Sequence, residues 1–267
     1  MNLLIPILIL AAIGLIAGLG LAIASKILAV PVNEKEQQIR EALPGANCGA
    51  CGFSGCDGYA KALADGTAES TALCSPGGAK TAESIAAILG VTGDSLVRRV
   101  AGVHCRGCHE NTGVKMNYSG VRTCRTASQL YGGPGACSYG CIGLGDCVSV
   151  CEYGALQIRE GVAAVDPTLC TACGKCVRTC PKGLIDLLPI ETPKATVLCS
   201  SKAKGAQTRK DCKAGCIGCK KCEKVCPSDA VVVTANLAHI DPDKCTACGA
   251  CVENCPQHCI ELFHVTD

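Results

Sequence analysis

The chain has 267 residues, 26 of them cysteine, with 3% aromatic residues, no Trp and a formal net charge of +2. Such a composition excludes a conventional aromatic core, and the near-neutral charge argues for neither a nucleic-acid-binding surface nor an acidic tail. Small segments that bury little apolar surface can be held by metal ligation, so the apoprotein is expected to be largely unfolded.

From the N-terminus, Leu3 to Ser25 is uncharged and consists mostly of Leu, Ile, Ala and Gly. At ~1.5 Å per residue it is long enough to cross a ~30 Å hydrocarbon core, which predicts a spanning helix and an anchor over residues 1–26. A signal peptide is the alternative, with Ala22-Ile23-Ala24 as its cleavage site, but no Lys or Arg precedes the run and the run is longer than a signal core. Lys26, Lys35 and Arg40 follow it, which predicts a single-pass protein of the cell (inner) membrane with the rest of the chain on the cytoplasmic side. Gly14 and Gly18 form a G-x-x-x-G step that either admits a neighbouring helix or is simply two small residues.

A charged stretch, Asn33 to Glu41, reads as helix and opens a domain expected over 27–95. Within it Cys48, Cys51, Cys56 and Cys74 make one complete four-thiolate set. Glycines 45, 49, 52 and 55 let the backbone wrap an inorganic core and aim amides at its sulfurs. Tetrahedral zinc is the competing occupant, since one Cys-x2-Cys with two scattered partners satisfies it as well. Asp57 to Ala64 has the composition of a short helix, Ser75-Pro76-Gly77-Gly78 breaks the chain, and Lys80 to Leu89 reads as an amphipathic packing helix stopped by Gly90.

The most specific stretch is Cys170-x2-Cys173-x2-Cys176-x3-Cys180-Pro181, the ligand run of bacterial ferredoxins, in which the fourth cysteine serves the other cluster of a pair. Zinc motifs usually pair two Cys-x2-Cys knuckles over a longer gap, and clusters persist best in a reducing compartment. A shift of 75 residues superposes Asp166–Val177 on Asp241–Val252, Cys180-Pro181 on Cys255-Pro256, and Cys124, Cys137, Cys141, Cys147 and Cys151 on Cys199, Cys212, Cys216, Cys222 and Cys226. Such self-similarity marks a duplication. In each copy a short β-prone stretch, Leu156–Val165 or Val231–Ile240, joins two ligand runs. The fold expected is therefore α+β: the transmembrane helix, the small [4Fe-4S] domain, a linker over 96–136 with extra cysteines, and two tandem ferredoxin-like two-cluster modules over 137–190 and 191–267.

By the crossed rule, Cys216, Cys219 and Cys222 go with Cys255, and Cys245, Cys248 and Cys251 go with Cys226. The first copy is irregular, because Leu144 stands where Cys219 stands and Glu152 replaces the proline. Cys137 is the expected substitute, giving Cys137, Cys141, Cys147 and Cys180 for one cluster and Cys151, Cys170, Cys173 and Cys176 for the other. Five [4Fe-4S] clusters are thus expected. A sixth stays open, drawn from Cys105, Cys108, Cys124 and one of Cys199 or Cys212. Cys259 aligns with Leu184 and is expected to fill a buried apolar position.

Lys202, Lys204, Arg209, Lys210, Lys213, Lys220, Lys221 and Lys224 form either a basic face that steers an acidic donor such as soluble ferredoxin or an ordinary solvated loop. His104 and His109 beside Cys105 and Cys108 read as incidental. No Gly-rich phosphate loop sits between a strand and a helix, and no catalytic constellation is indicated.

One N-terminal span, the Cys48, Cys51, Cys56, Cys74 group and ferredoxin modules behind it together resemble the B subunits of Rnf complexes, membrane ferredoxin:NAD oxidoreductases. The likeness covers the whole chain and is to the longer, cysteine-rich form of anaerobic bacteria and some methanogenic archaea, which carries Cys-x3-Cys-x5-Cys-x3-Cys as at Cys137, Cys141, Cys147 and Cys151. The resemblance implies an electron relay without a substrate-transforming site of its own, within an ion-translocating complex. Its implied partners are soluble ferredoxin, other membrane and flavoprotein or iron-sulfur subunits, and lipid. The competing expectations are a membrane-tethered polyferredoxin subunit of a hydrogenase or sulfur-compound reductase, and a cluster-bearing scaffold with no role in electron transfer.

Overall fold

A computed structural model describes residues 4–27, 33–93, 97–190 and 192–263. Leu3 and the domain edges expected at 95, 96 and 191 lie outside the described residues. Helix α1, Leu4–Ile27, carries a 19-residue apolar stretch, Ile7–Ser25, of mean hydropathy 2.7, long and apolar enough to cross a membrane. Leu8, Leu15, Ile16, Leu19 and Leu21 are exposed on every side of it, the pattern of a helix whose solvent is not water.

A three-helix unit follows: α2 (Glu34–Ala42), α3 (Cys56–Ala64) and α4 (Gly78–Leu89). Asn33 caps α2 by accepting from the Lys35 amide at 3.1 Å, and Gly90, left-handed at φ 71°, ends α4. Ile39, Tyr59 and Ile85, one from each helix, are fully buried against one another.

Beyond it stand two modules of the same design. In the first, β1 (Arg99–Val103), α5 (Cys124–Ser128) and α6 (Asp146–Ser149) precede the hairpin β2 (Leu156–Arg159) and β3 (Val162–Val165), then α7 (Lys175–Thr179) and β4 (Ile185–Pro189). The second holds β5 (Lys194–Val197), α8 (Gly205–Asp211), α9 (Lys221–Lys224), the hairpin β6 (Val231–Thr234) and β7 (Leu237–Ile240), α10 (Ala250–Glu253) and β8 (Ile260–Phe263). The two hairpins fall on the two β-prone stretches. A second antiparallel pair closes each module, β1 with β4 and β5 with β8. The stretch 96–136, expected as a linker, thus contributes a strand to the first module. That strand is only five residues long and its partner lies far along the chain, so no local pattern announces it.

Both cores are made of small residues and thiols. Ala101, Leu156, Ala163, Leu184 and Ile185 surround Cys147 and Cys176 in the first, while Ala195, Val197, Val231, Leu237, Ala238 and Ile260 surround six buried cysteines in the second. The ligand loops press directly on the hairpin turns. Gly218 has φ +64°, and a Cβ there would stand 2.9 Å from the Asn236 backbone; Gly143, its counterpart, would meet the Gly161 carbonyl at 2.5 Å. Gly218→Ala is therefore expected to cost about 1–3 kcal/mol, from left-handed strain and the displaced loop. Thermal unfolding followed by cluster absorbance checks it, and an unchanged midpoint would contradict this reading of the loop.

Candidate metal centres

The N-terminal set is held by side chains that fix loops. Asn47 accepts from the Cys56 amide at 2.8 Å, tying the Cys48–Cys51 loop to the start of α3. Tyr59 donates to the Ser70 carbonyl at 2.9 Å and accepts from the Leu73 amide at 3.3 Å, which fixes the approach to Cys74. Burial pushes the Cys74 thiol up to about 11, and the sulfurs of Cys56, Cys51 and Cys48 push it the same way. Cys48, Cys51 and Cys56 are thus all neighbours of Cys74.

In the first module Cys151, Cys170, Cys173 and Cys176 line one pocket below Leu187. The Ala101 amide of β1 donates to Cys170 Sγ at 3.4 Å, and burial, then Cys170 and Cys173, lift Cys176 to about 11. In the second module Cys251 neighbours Cys245, Cys226 and Cys248, and burial raises it first. Cys216, Cys219, Cys222 and Cys255 line another pocket, in which Cys219 is exposed and burial, then Cys216, raises Cys222 to about 11. All four of these sets join the cysteines that spacing and the crossed rule join.

Cys259 shares the last pocket. It is 1% exposed, as expected of the Leu184 counterpart, but its Sγ lies 3.6 Å from that of Cys255. Hydrogen bonds to Cys216 and Cys255, together with burial, push Cys259 upward, while the same contact brings Cys255 down to about 5. Cys259 is a further sulfur in hydrogen-bond reach of that set, a contact that alignment with a leucine does not signal.

The irregular set differs from expectation. Cys124, not Cys137, lines the pocket with Cys141, Cys147 and Cys180. Burial, then Cys141, Cys124 and Cys180, raises Cys147 to about 12. The cause is Asp146, whose carboxylate accepts from the Cys124 amide at 2.8 Å and the Arg125 amide at 3.0 Å, anchoring the N-terminus of α5 beside α6. Cys137 faces a different pocket, with Cys105, Cys199 and Cys212, whose wall Cys141 shares. Of the five cysteines other than Cys259 left without a set by sequence, Cys124 therefore leaves the group and Cys137 enters it.

Among the described residues no three His, Cys, Asp or Glu side chains close up as one ion requires. The cysteines instead stand around the walls of small pockets, which suits a four-iron cubane whose thiolates bind four separate irons. Crowded thiols pushed up to 11 or 12 stay protonated without metal, so ligation must displace their protons.

All eight basic side chains from Lys202 to Lys224 are exposed, and Lys220 and Lys221 directly follow exposed Cys219.

An Fe-S cluster family matches residues 43–76, and the 4Fe-4S dicluster domain family matches 139–184, 169–230 and 215–259. The chain is 44% identical to the B subunit of the Na(+)-translocating ferredoxin:NAD(+) oxidoreductase complex of Acetobacterium woodii, over 96% of this chain and 77% of that one. It is 42% identical to the B subunit of the ion-translocating oxidoreductase complex of Methanosarcina acetivorans, over 95% and 96% of the two chains. The B subunit of the proton-translocating ferredoxin:NAD(+) oxidoreductase complex of Clostridium ljungdahlii is 40% identical, over 98% and 94%.

Proposed function

Because the chain belongs to the family of B subunits of Rnf-type ion-translocating oxidoreductase complexes, we propose that its cysteine sets form a one-electron relay that accepts electrons from reduced ferredoxin. It is an iron-sulfur electron-transfer subunit of such a membrane complex. The observation that carries the relay is the gathering of distant cysteines, Cys180 to Cys141 and Cys255 to Cys216, around pockets of a dicluster fold. When bound there, [4Fe-4S] clusters take up and release single electrons.

The chain's own residues do the rest. Cys48, Cys51, Cys56 and Cys74; Cys151, Cys170, Cys173 and Cys176; Cys216, Cys219, Cys222 and Cys255; and Cys226, Cys245, Cys248 and Cys251 are the ligands of four clusters, with Cys124, Cys141, Cys147 and Cys180 holding a fifth. The Ala101 and Ala247 amides, donating to Cys170 Sγ and Cys245 Sγ, stabilise negative charge on ligand sulfur, which raises a cluster's potential. Arg178 of α7 donates to the Cys48 carbonyl at 2.7 Å, joining the N-terminal unit to the first module beside Cys176. Helix α1 anchors the chain, and Lys26, Lys35 and Arg40 behind it favour cluster domains on the cytoplasmic side.

The exposed lysines around Cys219 supply a positive landing surface for an acidic donor. Stopped-flow reduction of the anaerobic holoprotein by ferredoxin is expected to slow as ionic strength rises past ~0.1 M, where screening closes to ~10 Å. Lys221→Glu with Lys224→Glu is expected to lower the low-salt rate by about tenfold or more. A rate independent of both salt and charge reversal would remove the landing surface. Clusters that resist reduction by ferredoxin altogether would overturn the relay.

A further inference from the structure

Strand pairing exposes an equivalence that the 75-residue register hides. Val103 of β1 pairs with Ile185, and Val197 of β5 pairs with Ile260, so β1 and β5 are the same strand of the two modules. Two residues beyond those valines stand Cys105 and Cys199. Their surroundings match bond for bond: Cys105 Sγ accepts from the Gly107 amide at 3.4 Å and the Cys141 amide at 3.3 Å, and Cys199 Sγ accepts from the Ser201 amide at 3.4 Å and the Cys216 amide at 3.2 Å. Cys141 and Cys216 are themselves counterparts, as are Cys137 and Cys212. Each module thus presents these two cysteines to one pocket, whose lining also takes in Cys141 of the first module.

That pocket lies on the seam between the modules. Thr112 donates to the Asp211 carbonyl at 2.7 Å, the Lys213 amide to the Asn111 carbonyl at 2.8 Å, Ser200 to the His104 carbonyl at 3.1 Å and His104 Nδ1 to the Val197 carbonyl at 2.8 Å. His104 is therefore a strut between modules rather than an incidental neighbour. The wall between the cysteines is glycine: a Cβ on Gly140 would touch both Cys137 Sγ and Cys105 Sγ, at 3.6 and 3.7 Å. Cys108 stands outside the pocket lining and takes a hydrogen bond from Asn111 at 3.2 Å.

We propose that Cys105, Cys137, Cys199 and Cys212 are the ligands of a sixth [4Fe-4S] cluster, two from each module, held on the seam between the Cys141 and Cys216 sets. Four thiols of pseudo-twofold origin, two of them already receiving paired backbone amides, are the donor set and hydrogen-bonding pattern such a cluster takes. The inference rests on the cluster reading above but not on ferredoxin being the donor.

The test is iron and acid-labile sulfide per chain on anaerobically purified, full-length protein. Wild type is expected to hold ~24 of each, four per cubane, and Cys105→Ser with Cys199→Ser to hold ~20, whereas Cys108→Ser keeps ~24. Wild type at ~20 overturns the proposal without any variant, as does undiminished iron in the double variant or a zinc ion lost in place of iron. A drop in iron with no reduction by ferredoxin would sustain this site and sink only the donor assignment.

Discussion

Anaerobic removal of iron from the full-length holoprotein is expected to abolish the cooperative unfolding transition of both ferredoxin-like modules, leaving helical signal mainly from α1 and the three-helix unit. The modules bury little that would hold them otherwise. Of the largest fully buried side chains, Ile39, Tyr59 and Ile85 belong to the three-helix unit, and the modules contribute Leu184, Val100, Thr208 and Cys259. Burying a Leu or Val side chain is worth roughly 1.5–3 kcal/mol, while ordering one residue's backbone costs about 1–2 kcal/mol, so a core of Ala, Val and thiols cannot carry these loops alone. Structural zinc sites set the scale for what ligation adds, at about 10–16 kcal/mol. Circular dichroism and calorimetry on stripped and reconstituted protein make the comparison. A stripped protein that melts with the holoprotein's midpoint and enthalpy would refute metal-dependent folding.

Cys124→Ser is expected to remove one cluster, about four irons per chain, and Leu144→Cys introduced beside it is expected to restore that cluster. The second module supplies the reason. There Cys219 occupies the place of Leu144, preceded by Gly218 and followed by Lys220, both left-handed at φ 64° and 61°; Leu144 sits between Gly143 and Gly145 at 76° and 86°. The two loops have the same shape, so a cysteine at 144 stands where Cys219 stands. Cys137→Ser is also expected to lose about four irons, through the seam site, but Leu144→Cys must not restore them. Iron content and electron paramagnetic resonance of the four variants separate the cases. Rescue of Cys137→Ser by Leu144→Cys, with none for Cys124→Ser, would return Cys137 to the irregular set.

Much of this was legible because ligand runs are local: Cys170 to Pro181 and Cys245 to Pro256 declare themselves by spacing, and their crossed partners follow from the rule for paired clusters. The hairpins and helices α2 to α4 were readable for the same reason. Cys124 was not, because its place depends on a carboxylate 22 positions away that accepts from the first two amides of a five-residue helix. The β1–β4 and β5–β8 pairs join the beginning of each module to its end, and a single repeat register cannot represent an insertion within one copy. That register set Cys124 against Cys199, whereas strand pairing sets Cys105 there. A signal was present in Ala101-x-Val103-x-Cys105 and Ala195-x-Val197-x-Cys199, visible only when a second register is tried.

The pairing of β5 with β8 also orders biosynthesis. The second module begins at Lys194, yet its first strand finds a partner only at Ile260–Phe263, and the pocket around Cys216 gains its remaining wall only from Cys255, Cys259 and Ile260. The Cys216 set can therefore be enclosed only once the chain has been made through Ile260. Until then Cys216 and Cys222, which the folded module buries, stand open to solvent and to oxidation.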